Sequence, residues 1–437
     1  MRGLASRKSW YILFLLVLAY VSSFIDRNII NFFVTPIKRD LGLTDTEVGL
    51  LQGFAFSIFY ITAGLFVGRL ADAYSRRNLI AIGLIVWSLS TISCGLAGGF
   101  LALFLCRMFV GVGESTLSPS ATSLLTDLFP KERLSLAMGI YATAPYIGSG
   151  LAMMIGGWLL DSFGDQGQIH IPLLGLFTEW QVAFLLVGPP GLVLALLMMT
   201  FREPERQEAT PTLVLGDRPS LKAFAQYVFE NRTTYAFLFT GSAMLSLVGY
   251  GVTSWLPTYY LREFSAPSSN VGNLLGTSLL IGGPCGVLIG GWVGDRLRTR
   301  RGDATTLLAL IGAAGTLLVT SLVVLVESWT LSILLVIPLY IFKVLPVGPL
   351  YASVNLMTPN RMRAQIFALL LFFDGIIGAA FGPLSIGFVT DFVLGDEQKL
   401  GLSILIVVTV AMAISLCCFW RVHGSDLNTT RHWQPAM

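Results

Sequence analysis

The chain has 437 residues, of which 54% are hydrophobic and 12% are charged, and its mean hydropathy is +0.74. A soluble globular protein carries about twice that share of charged residues. These values exclude an ordinary soluble protein and indicate a chain whose surface faces lipid. The net charge of +3 is too small to indicate a nucleic-acid partner.

Twelve apolar stretches follow one another along the chain, and each is long enough to cross a bilayer as a helix. We place them near residues 10–35, 47–69, 78–98, 100–126, 134–160, 180–200, 233–261, 270–294, 305–326, 329–357, 364–392 and 399–421. Prolines inside the fourth, fifth, tenth and eleventh stretches predict kinks rather than breaks. The predicted fold is an all-α integral membrane protein with twelve transmembrane helices.

Lysines and arginines are distributed unevenly between the two sides of this arrangement. Outside the stretches, nearly all of them fall at the termini and in alternate loops on the same side. The opposite side holds four, which are Lys38, Arg39, Arg262 and Lys399. Because basic loops stay in the cytoplasm, both termini are predicted to be cytoplasmic.

Two loops repeat one motif at about half the chain length. Residues 68–77 read Gly-Arg-Leu-Ala-Asp-Ala-Tyr-Ser-Arg-Arg, and residues 291–301 read Gly-Trp-Val-Gly-Asp-Arg-Leu-Arg-Thr-Arg-Arg. The interval between the two glycines equals that between the two aspartates, and such an internal repeat is typical of a transporter. We predict an N-terminal six-helix bundle, a cytoplasmic linker, and a C-terminal six-helix bundle with a cytoplasmic tail, at residues 1–200, 201–232 and 233–437.

The repeated motif also predicts a conformational latch at the cytoplasmic helix ends. Its aspartates would meet the partial positive charge of neighbouring helix N-termini, and its arginines would supply full charges. The residues assigned to this latch are Gly68, Asp72, Arg76, Arg77, Asp295, Arg300 and Arg301.

Ionisable residues also fall in the middle of the apolar stretches, where charge is costly and normally faces a cavity or another charge. They are Asp26, Arg27, Arg107, Glu114, Lys343 and Asp374. Asp26 and Arg107 both lie roughly 12–15 Å from the outer ends of their stretches, so an ion pair between them is geometrically reasonable. Glu114 follows Arg107 by seven residues and shares its helix face about 10 Å deeper.

This spacing predicts a cationic headgroup site at Arg107 and a deeper, proton-titrating acid at Glu114, with Asp26 linking the two. The alternative is a structural polar cluster that fixes the register of the helices. Arg27 is expected to snorkel towards water or to pair locally.

The second half of the chain supplies further candidates. Lys343 and Asp374 lie near the middle of consecutive antiparallel stretches, which favours a structural ion pair between them. If Lys343 faces the transport path instead, it would bind an anionic headgroup. Tyr250 and Trp255 of the seventh stretch are candidate substrate contacts, although such residues also populate bilayer interfaces.

Catalytic and cofactor-binding motifs do not occur in the sequence. The five cysteines lie inside predicted stretches without metal-ligand spacing, so we expect packing roles rather than disulfides or a metal site. Nucleotide-binding loops and activated nucleophiles are also missing, so neither an enzyme nor a cofactor is expected. The proton gradient is the expected energy source, with sodium as an alternative.

The loop motif resembles that of the major facilitator superfamily, which joins the second and third helices and recurs between the eighth and ninth. Residues 107–114, Arg-Met-Phe-Val-Gly-Val-Gly-Glu, are similar to the superfamily's fourth-helix motif, and Gly382-Pro383 is similar to its glycine–proline helix. Ala73 and Ser75 replace the usual arginine and glycine of the first loop. The resemblance implies two pseudo-symmetric six-helix bundles that work by alternating access.

Within that superfamily, the chain looks most like the spinster-like transporters. The similar segments are Asp26-Arg27, Gly49-Leu-Leu-Gln52 and Tyr146-Ile-Gly-Ser-Gly150. Members of that family export lysophospholipids or sphingoid phosphates, so the resemblance implies a lipid or amphiphile as substrate. Animal members carry an acid in a glycine-rich motif of the eleventh helix, whereas this chain places its acid earlier, at Asp374. The short termini fit a bacterial branch and a bacterial inner membrane.

Together these features predict a secondary active transporter, proton-coupled and functional as a monomer, that moves an amphiphilic, lipid-like substrate such as a lysophospholipid or sphingoid phosphate. Two alternatives stay open. One is a proton-coupled symporter of aromatic or sugar carboxylates, and the other is a membrane receptor or scaffold that transports nothing.

Overall fold

The structure is a computed structural model, and it describes residues 6–163, 169–171, 175–204, 221–264 and 266–423. Residues 205–220, half of the predicted linker, and the C-terminal tail beyond residue 423 therefore lie outside the described residues. The side chains of Arg69, Asp72, Ile171 and Leu221 also lie outside that description.

Long helices account for nearly all of the described residues. We number them spans 1 to 12, and their bounds are Arg7–Phe32, Asp45–Gly68, Arg76–Cys94, Phe100–Leu128, Lys131–Phe163, Glu179–Met198, Arg232–Phe264, Ser268–Arg298, Ala304–Leu325, Trp329–Met357, Arg363–Leu394 and Glu397–Val422. Within the described ranges, eleven of these are long and apolar enough to cross a membrane. Span 5 is the twelfth, and its 33 residues extend about 50 Å. Its glycines and tyrosines lower its hydropathy below that of the others.

Short elements connect the spans. Helix Val34–Leu41 lies between spans 1 and 2, and helix Leu221–Glu230 precedes span 7. An antiparallel pair of strands, Ile169–Ile171 and Gly175–Phe177, lies between spans 5 and 6. The sequence analysis did not predict these strands, because three residues are too few to show an alternating pattern.

Two of the four proline-containing spans are interrupted without leaving the helical conformation. Span 4 passes from helix Phe100–Glu114 to helix Leu117–Leu128, and span 10 passes to helix Val347–Met357, through residues that keep helical backbone angles. Both are kinks rather than breaks. Pro119 and Pro349 are each the third residue of the new helix, where a missing backbone N–H leaves no helical bond unmade. In span 5, by contrast, Pro145 lies inside a continuous helix.

Contacts group the chain into two compact units. The first consists of residues 1–207, 252–280 and 383–401, and the second of residues 208–251, 281–382 and 402–437. The first unit therefore contains spans 1 to 6 and parts of spans 7, 8, 11 and 12. The division of the sequence at residues 201–232 stays a prediction.

The core of the first unit lies between spans 1, 3, 4 and 5. Leu16, Ile80, Trp87, Leu124 and Tyr141 belong to one cluster of buried side chains there. Burial of such side chains stabilises the unit by about 1.5–3 kcal/mol each relative to water, although lipid reduces that advantage on the outer faces.

The second unit contains a buried tyrosine pair beside the helix that precedes span 7. The hydroxyl of Tyr235 lies 3.1 Å from that of Tyr227 and 2.9 Å from that of Thr358. Tyr227 also donates a hydrogen bond to the carbonyl of Met357. These bonds fasten helix Leu221–Glu230 to the end of span 10.

Span 2 crosses span 11 within the first unit at a distance that requires glycine. A Cβ atom on Gly49 would lie 2.8 Å from the carbonyl oxygen of Pro383, and one on Gly387 would lie 2.4 Å from that of Asp45. A side chain at either position would therefore overlap backbone that has nowhere to move. We call this contact the 2–11 crossing.

Span 8 crosses span 5 in the same unit through corresponding positions. A Cβ atom on Gly272 would lie 2.4 Å from the carbonyl oxygen of Met153, and one on Gly157 would lie 2.4 Å from that of Ser268. Gly272 follows Gly49 by the same interval that separates the two loop motifs, and Gly387 follows Gly157 by a slightly longer one. The repeat seen in the loops thus extends to helix packing, and we call this second contact the 5–8 crossing.

We predict that Gly157→Ala destabilises the protein by about 1–3 kcal/mol, the usual cost of overpacking a tight contact. Thermal unfolding of the purified protein in detergent measures the change. Gly139→Ala is the matched control, because Gly139 lies in the same helix with nothing within 4 Å of its added Cβ. It should be neutral or slightly stabilising, and equal melting temperatures for the two variants would contradict the tight crossing.

Candidate functional site

Span 1 changes helical geometry at the depth of its two charged residues. Its α-helix, Arg7–Asn28, is followed by a 3-10 turn, Ile29–Phe32. Carbonyl groups in the last turn of an α-helix lack regular helical donors. Inside a bilayer no water replaces those donors, so a donor from another helix is required here.

Arg107 of span 4 supplies those donors. Its guanidinium donates to the carbonyl oxygens of Asp26 at 3.3 Å and Arg27 at 3.1 Å. Its Nε donates to the carbonyl of Leu51 at 3.2 Å, and Leu51 belongs to the π-helical segment Leu50–Phe54 of span 2. Arg107 is fully buried, so it binds three backbone carbonyls of two neighbouring spans and positions them.

Arg27 forms the ion pair of this cluster. Its Nη2 lies 2.7 Å from Oε2 of Glu114, and the two side chains are 14% and 1% exposed. The guanidinium also lies over the rings of Phe24, Phe56 and Tyr60, at 4.4, 4.1 and 5.1 Å from their centroids. These cation–π contacts hold the arginine in an aromatic environment beside the acid.

Asp26 lies in the same cluster with its carboxylate unpaired. It is 1% exposed, and among the described residues no cationic side chain forms an ion pair with it. The buried side chains of Thr91 and Trp87 in span 3 face its carboxylate as weak donors, outside the geometry of a regular hydrogen bond. Asp26 is within electrostatic range of Glu114 and Arg107.

The structure thus brings together Asp26, Arg27, Arg107 and Glu114, but with different pairings from those expected. Arg107 contacts the backbone carbonyl of Asp26 rather than its carboxylate, because the end of the α-helix turns that carbonyl towards span 4. Arg27, for which we expected a local or snorkelling role, pairs with Glu114 of span 4. In the sequence, Arg27 stood out only as the neighbour of Asp26. That adjacency does not show that the Arg27 side chain turns towards Glu114.

Lys343 and Asp374 lie in the second unit, and each has a partner on span 7. The Lys343 ammonium donates to the carbonyl of Gly249 at 3.1 Å, whereas Asp374 accepts hydrogen bonds from Ser242 at 3.0 Å and Tyr351 at 3.5 Å. Gly249 and Ser242 are seven residues apart, which is about 10 Å along a helix. The expected ion pair between Lys343 and Asp374 is therefore replaced by contacts at two different levels of span 7.

The two aromatic candidates of span 7 differ in exposure. Trp255 is fully buried, and its indole donates to the carbonyl of Pro383 at 2.9 Å. This contact favours a packing role in the first unit. Tyr250 is 43% exposed and stays a candidate substrate contact.

The first loop motif is anchored by Arg76. This arginine is buried and forms ion pairs with Asp127 at the end of span 4 and Glu203 after span 6. Glu203 also accepts a hydrogen bond from the hydroxyl of Ser75. Burial alone would raise the pKa of Glu203, but the donors Ser75 and Arg76 hold that pKa below its ordinary value.

The remaining members of the predicted latch have local contacts or none described. Arg77 donates to the carbonyl of Phe201 at 2.8 Å, and Arg301 pairs with Asp303 at 2.9 Å. Asp295 and Arg300 are exposed, Gly68 has open space around its Cα, and the side chain of Asp72 lies outside the described residues. The latch stays a prediction, and the structure shows Arg76 and Arg301 paired within their own units.

A family model covers most of the chain, and individual relatives extend that likeness. Residues 16–383 match the Major Facilitator Superfamily model. An MFS-type efflux pump of Mycolicibacterium smegmatis is 27% identical over 95% of this chain and 92% of its own length. The sphingosine-1-phosphate transporter SPNS2 of Mus musculus is 26% identical over 94% of this chain and 74% of its own length.

The fold has a solved counterpart. A bacterial homolog of the human lysosomal transporter Spinster, in an inward-facing conformation, aligns over 98% of both chains with a TM-score of 0.77 and 25% identity. The predicted all-α fold and the resemblance to spinster-like transporters are thereby confirmed.

We predict that the two single variants of the Arg27–Glu114 pair together cost more stability than the double variant does. Glu114→Gln and Arg27→Gln each leave a buried group uncompensated and should each cost roughly 2–4 kcal/mol. The double variant should cost less than their sum, with a coupling energy of about 1–3 kcal/mol. Denaturant unfolding of the four proteins measures this cycle.

The matched control is the Arg39–Glu179 pair, in which Arg39 is 54% exposed. Its coupling energy should stay below about 1 kcal/mol. Equal coupling in the two cycles would show that the Arg27–Glu114 contact contributes no more than a surface pair.

Proposed function

We propose a proton-coupled transporter of an amphiphilic, anionic substrate, starting from the premise that this chain belongs to the Major Facilitator Superfamily. It is a multi-pass membrane transporter and not an enzyme. The observation that carries the proposal is the cluster of Asp26, Arg27 and Glu114, in which two buried acids accompany one ion-paired arginine. Such clusters inside a membrane mark transport pathways.

Asp26 and Glu114 are the proposed proton sites. A buried carboxylate without an ion pair is costly to ionise, whereas one that is paired with an arginine is compensated. In this structure the surroundings therefore favour a protonated, neutral Asp26 and an ionised Glu114. Transfer of the proton from Asp26 to Glu114 would reverse these states and release the Arg27 side chain from Glu114.

Arg27 is the proposed substrate cation of the first unit. Its guanidinium is the partly exposed member of the cluster, and it is forked, so it would bind a phosphate or carboxylate through two hydrogen bonds. A substrate anion would then compete with Glu114 for the same arginine. The fully buried Arg107 is assigned a positioning role, because its donors already face carbonyl groups.

A lipid-like substrate is favoured by the rings around Arg27. Phe24 and Tyr60 are half-buried and provide apolar surface beside the cation, whereas Phe56 is buried. Such a surface suits a molecule with an anionic head and an apolar chain. A lysophospholipid or sphingoid phosphate has this chemistry. In the second unit, Lys343 and Tyr250 are proposed as further contacts, and a proton gradient across a bacterial inner membrane as the energy source.

We predict that Asp26→Asn abolishes flux driven by a pH gradient while leaving substrate exchange between equal pH values. The purified protein in liposomes should take up a labelled lysophospholipid when a gradient is imposed. Gradient-driven uptake should fall at least roughly tenfold in Asp26→Asn and Glu114→Gln, the factor that about 1.4 kcal/mol represents. Arg39→Gln, an exposed charge outside the cluster, is the control and should retain uptake.

Three other outcomes would each contradict a different part of the proposal: the proton sites, the substrate class or transport itself. Unchanged gradient-driven uptake in both acid variants would place the proton site elsewhere. Uptake of aromatic or sugar carboxylates but not of lysophospholipid would assign a carboxylate symporter. Binding without any flux would point to a receptor or scaffold.

A further inference from the structure

An ion network around a buried carboxylate lies at the start of span 2. The carboxylate of Asp45 is 0% exposed and is bound by two cations. Lys38 Nζ lies 2.5 Å from its Oδ1, and Arg262 of span 7 reaches both oxygens at 2.8 and 2.9 Å. Asp45 thus joins helix Val34–Leu41 to the end of span 7.

Glu397 at the start of span 12 completes this network. One of its carboxylate oxygens lies 2.7 Å from Lys38 Nζ, and the other lies 3.6 Å from Arg262 Nη2. Two acids and two cations therefore alternate, and all four belong to the first unit. We call Lys38, Asp45, Arg262 and Glu397 the Asp45 network.

A second contact fastens the same helix start to span 11. The Asp391 carboxylate accepts hydrogen bonds from the backbone N–H of Asp45 at 3.3 Å and of Thr46 at 2.6 Å, and from the Thr46 hydroxyl at 2.5 Å. A carboxylate beside the first N–H groups of a helix satisfies donors that have no helical partner. The Asp391 carboxylate therefore caps the 2–11 crossing.

The 5–8 crossing repeats only the hydroxyl–carboxylate part of this contact, at equivalent positions. The Ser269 hydroxyl donates to Asp161 at 2.7 Å, on an exposed surface. Ser269 and Thr46 are separated by the same interval as Gly272 and Gly49. Likewise, Asp391 and Asp161 are separated by the same interval as Gly387 and Gly157. Among the described residues this is the one hydrogen bond that Asp161 accepts.

The two crossings differ at one repeat position. The counterpart of Asp45 is Ser268, whose neutral side chain cannot hold two cations. The 2–11 crossing thus has a helix cap and an ion network around the buried Asp45, whereas the 5–8 crossing has one exposed side-chain hydrogen bond. Breaking buried ion pairs is costly, and an exposed polar contact contributes little.

We propose that the 2–11 crossing is held closed more strongly than the 5–8 crossing. This end of the first unit would then open first at the 5–8 crossing, and the 2–11 crossing would stay closed until the Asp45 network breaks. These are the span ends that the charge distribution predicts to be outside. The proposal rests on alternating access, which is part of the proposed function, but it needs no particular substrate or coupling ion.

Distances across the two crossings in substrate-free protein test this order. Spin labels replace exposed residues after the five native cysteines are removed. Ser162 and Asn270 report on the 5–8 crossing, and Phe392 of span 11 with Thr35, on the helix before span 2, reports on the 2–11 crossing. Pulsed electron resonance of the full chain in nanodiscs gives the separated fraction of each pair. We expect a larger separated fraction at the 5–8 crossing than at the 2–11 crossing.

Asp45→Asn should raise the separated fraction at the 2–11 crossing by roughly tenfold, as loss of a buried charge partner implies. Arg262→Gln is a second variant of the same network, so a folding defect in one variant does not leave the test undecided. Asp161→Asn is the matched control in the other repeat, and it should change the 5–8 distances alone.

Equal separated fractions at both crossings, or no change at the 2–11 crossing in either network variant, would overturn the proposal. These distances are measured without substrate or pH gradient. A failure of lysophospholipid uptake together with the expected distances would therefore reject the proposed substrate. It would not affect the proposal that the two crossings open in this order.

Discussion

A backbone carbonyl inside a bilayer must find a donor within the protein, and the arrangement around span 1 depends on this requirement. Where the α-helix gives way to a 3-10 turn, Arg107 supplies donors to Asp26 and Arg27 and a further one to Leu51. Its charge is thereby committed to the backbone. Arg27 is left to neutralise Glu114, and the carboxylate of Asp26 is left without an ion pair.

The identity of this cluster was predictable from the sequence, but its pairing was not. Charges in the middle of apolar stretches are so costly that Asp26, Arg107 and Glu114 could be selected without a structure. Which cation meets which acid depends on where a helix ends and how a side chain turns. The sequence does not report those details, as the contacts of Lys343 and Asp374 also show.

The fold was predictable because length and apolarity suffice to recognise a spanning helix. The repeat was recognisable in the loops from Gly68, Asp72 and their counterparts, and the family model covers the same stretch of chain. The glycine crossings needed the structure, since the interval between equivalent positions differs between the two pairs of spans and single glycines do not stand out in an apolar helix. The Asp45 network was visible beforehand only as charges on the less basic side.

Span 5 carries a consequence for how the protein enters the membrane. Its 33-residue helix contains Gly148, Gly156 and Gly157, each packed closely against a neighbouring span. The same small residues that allow close packing make this helix less apolar than the other spans. A helix of this kind gains less from lipid than from protein neighbours. During synthesis, span 5 would therefore depend on the spans already inserted, and biogenesis of the first six helices is expected to be cooperative.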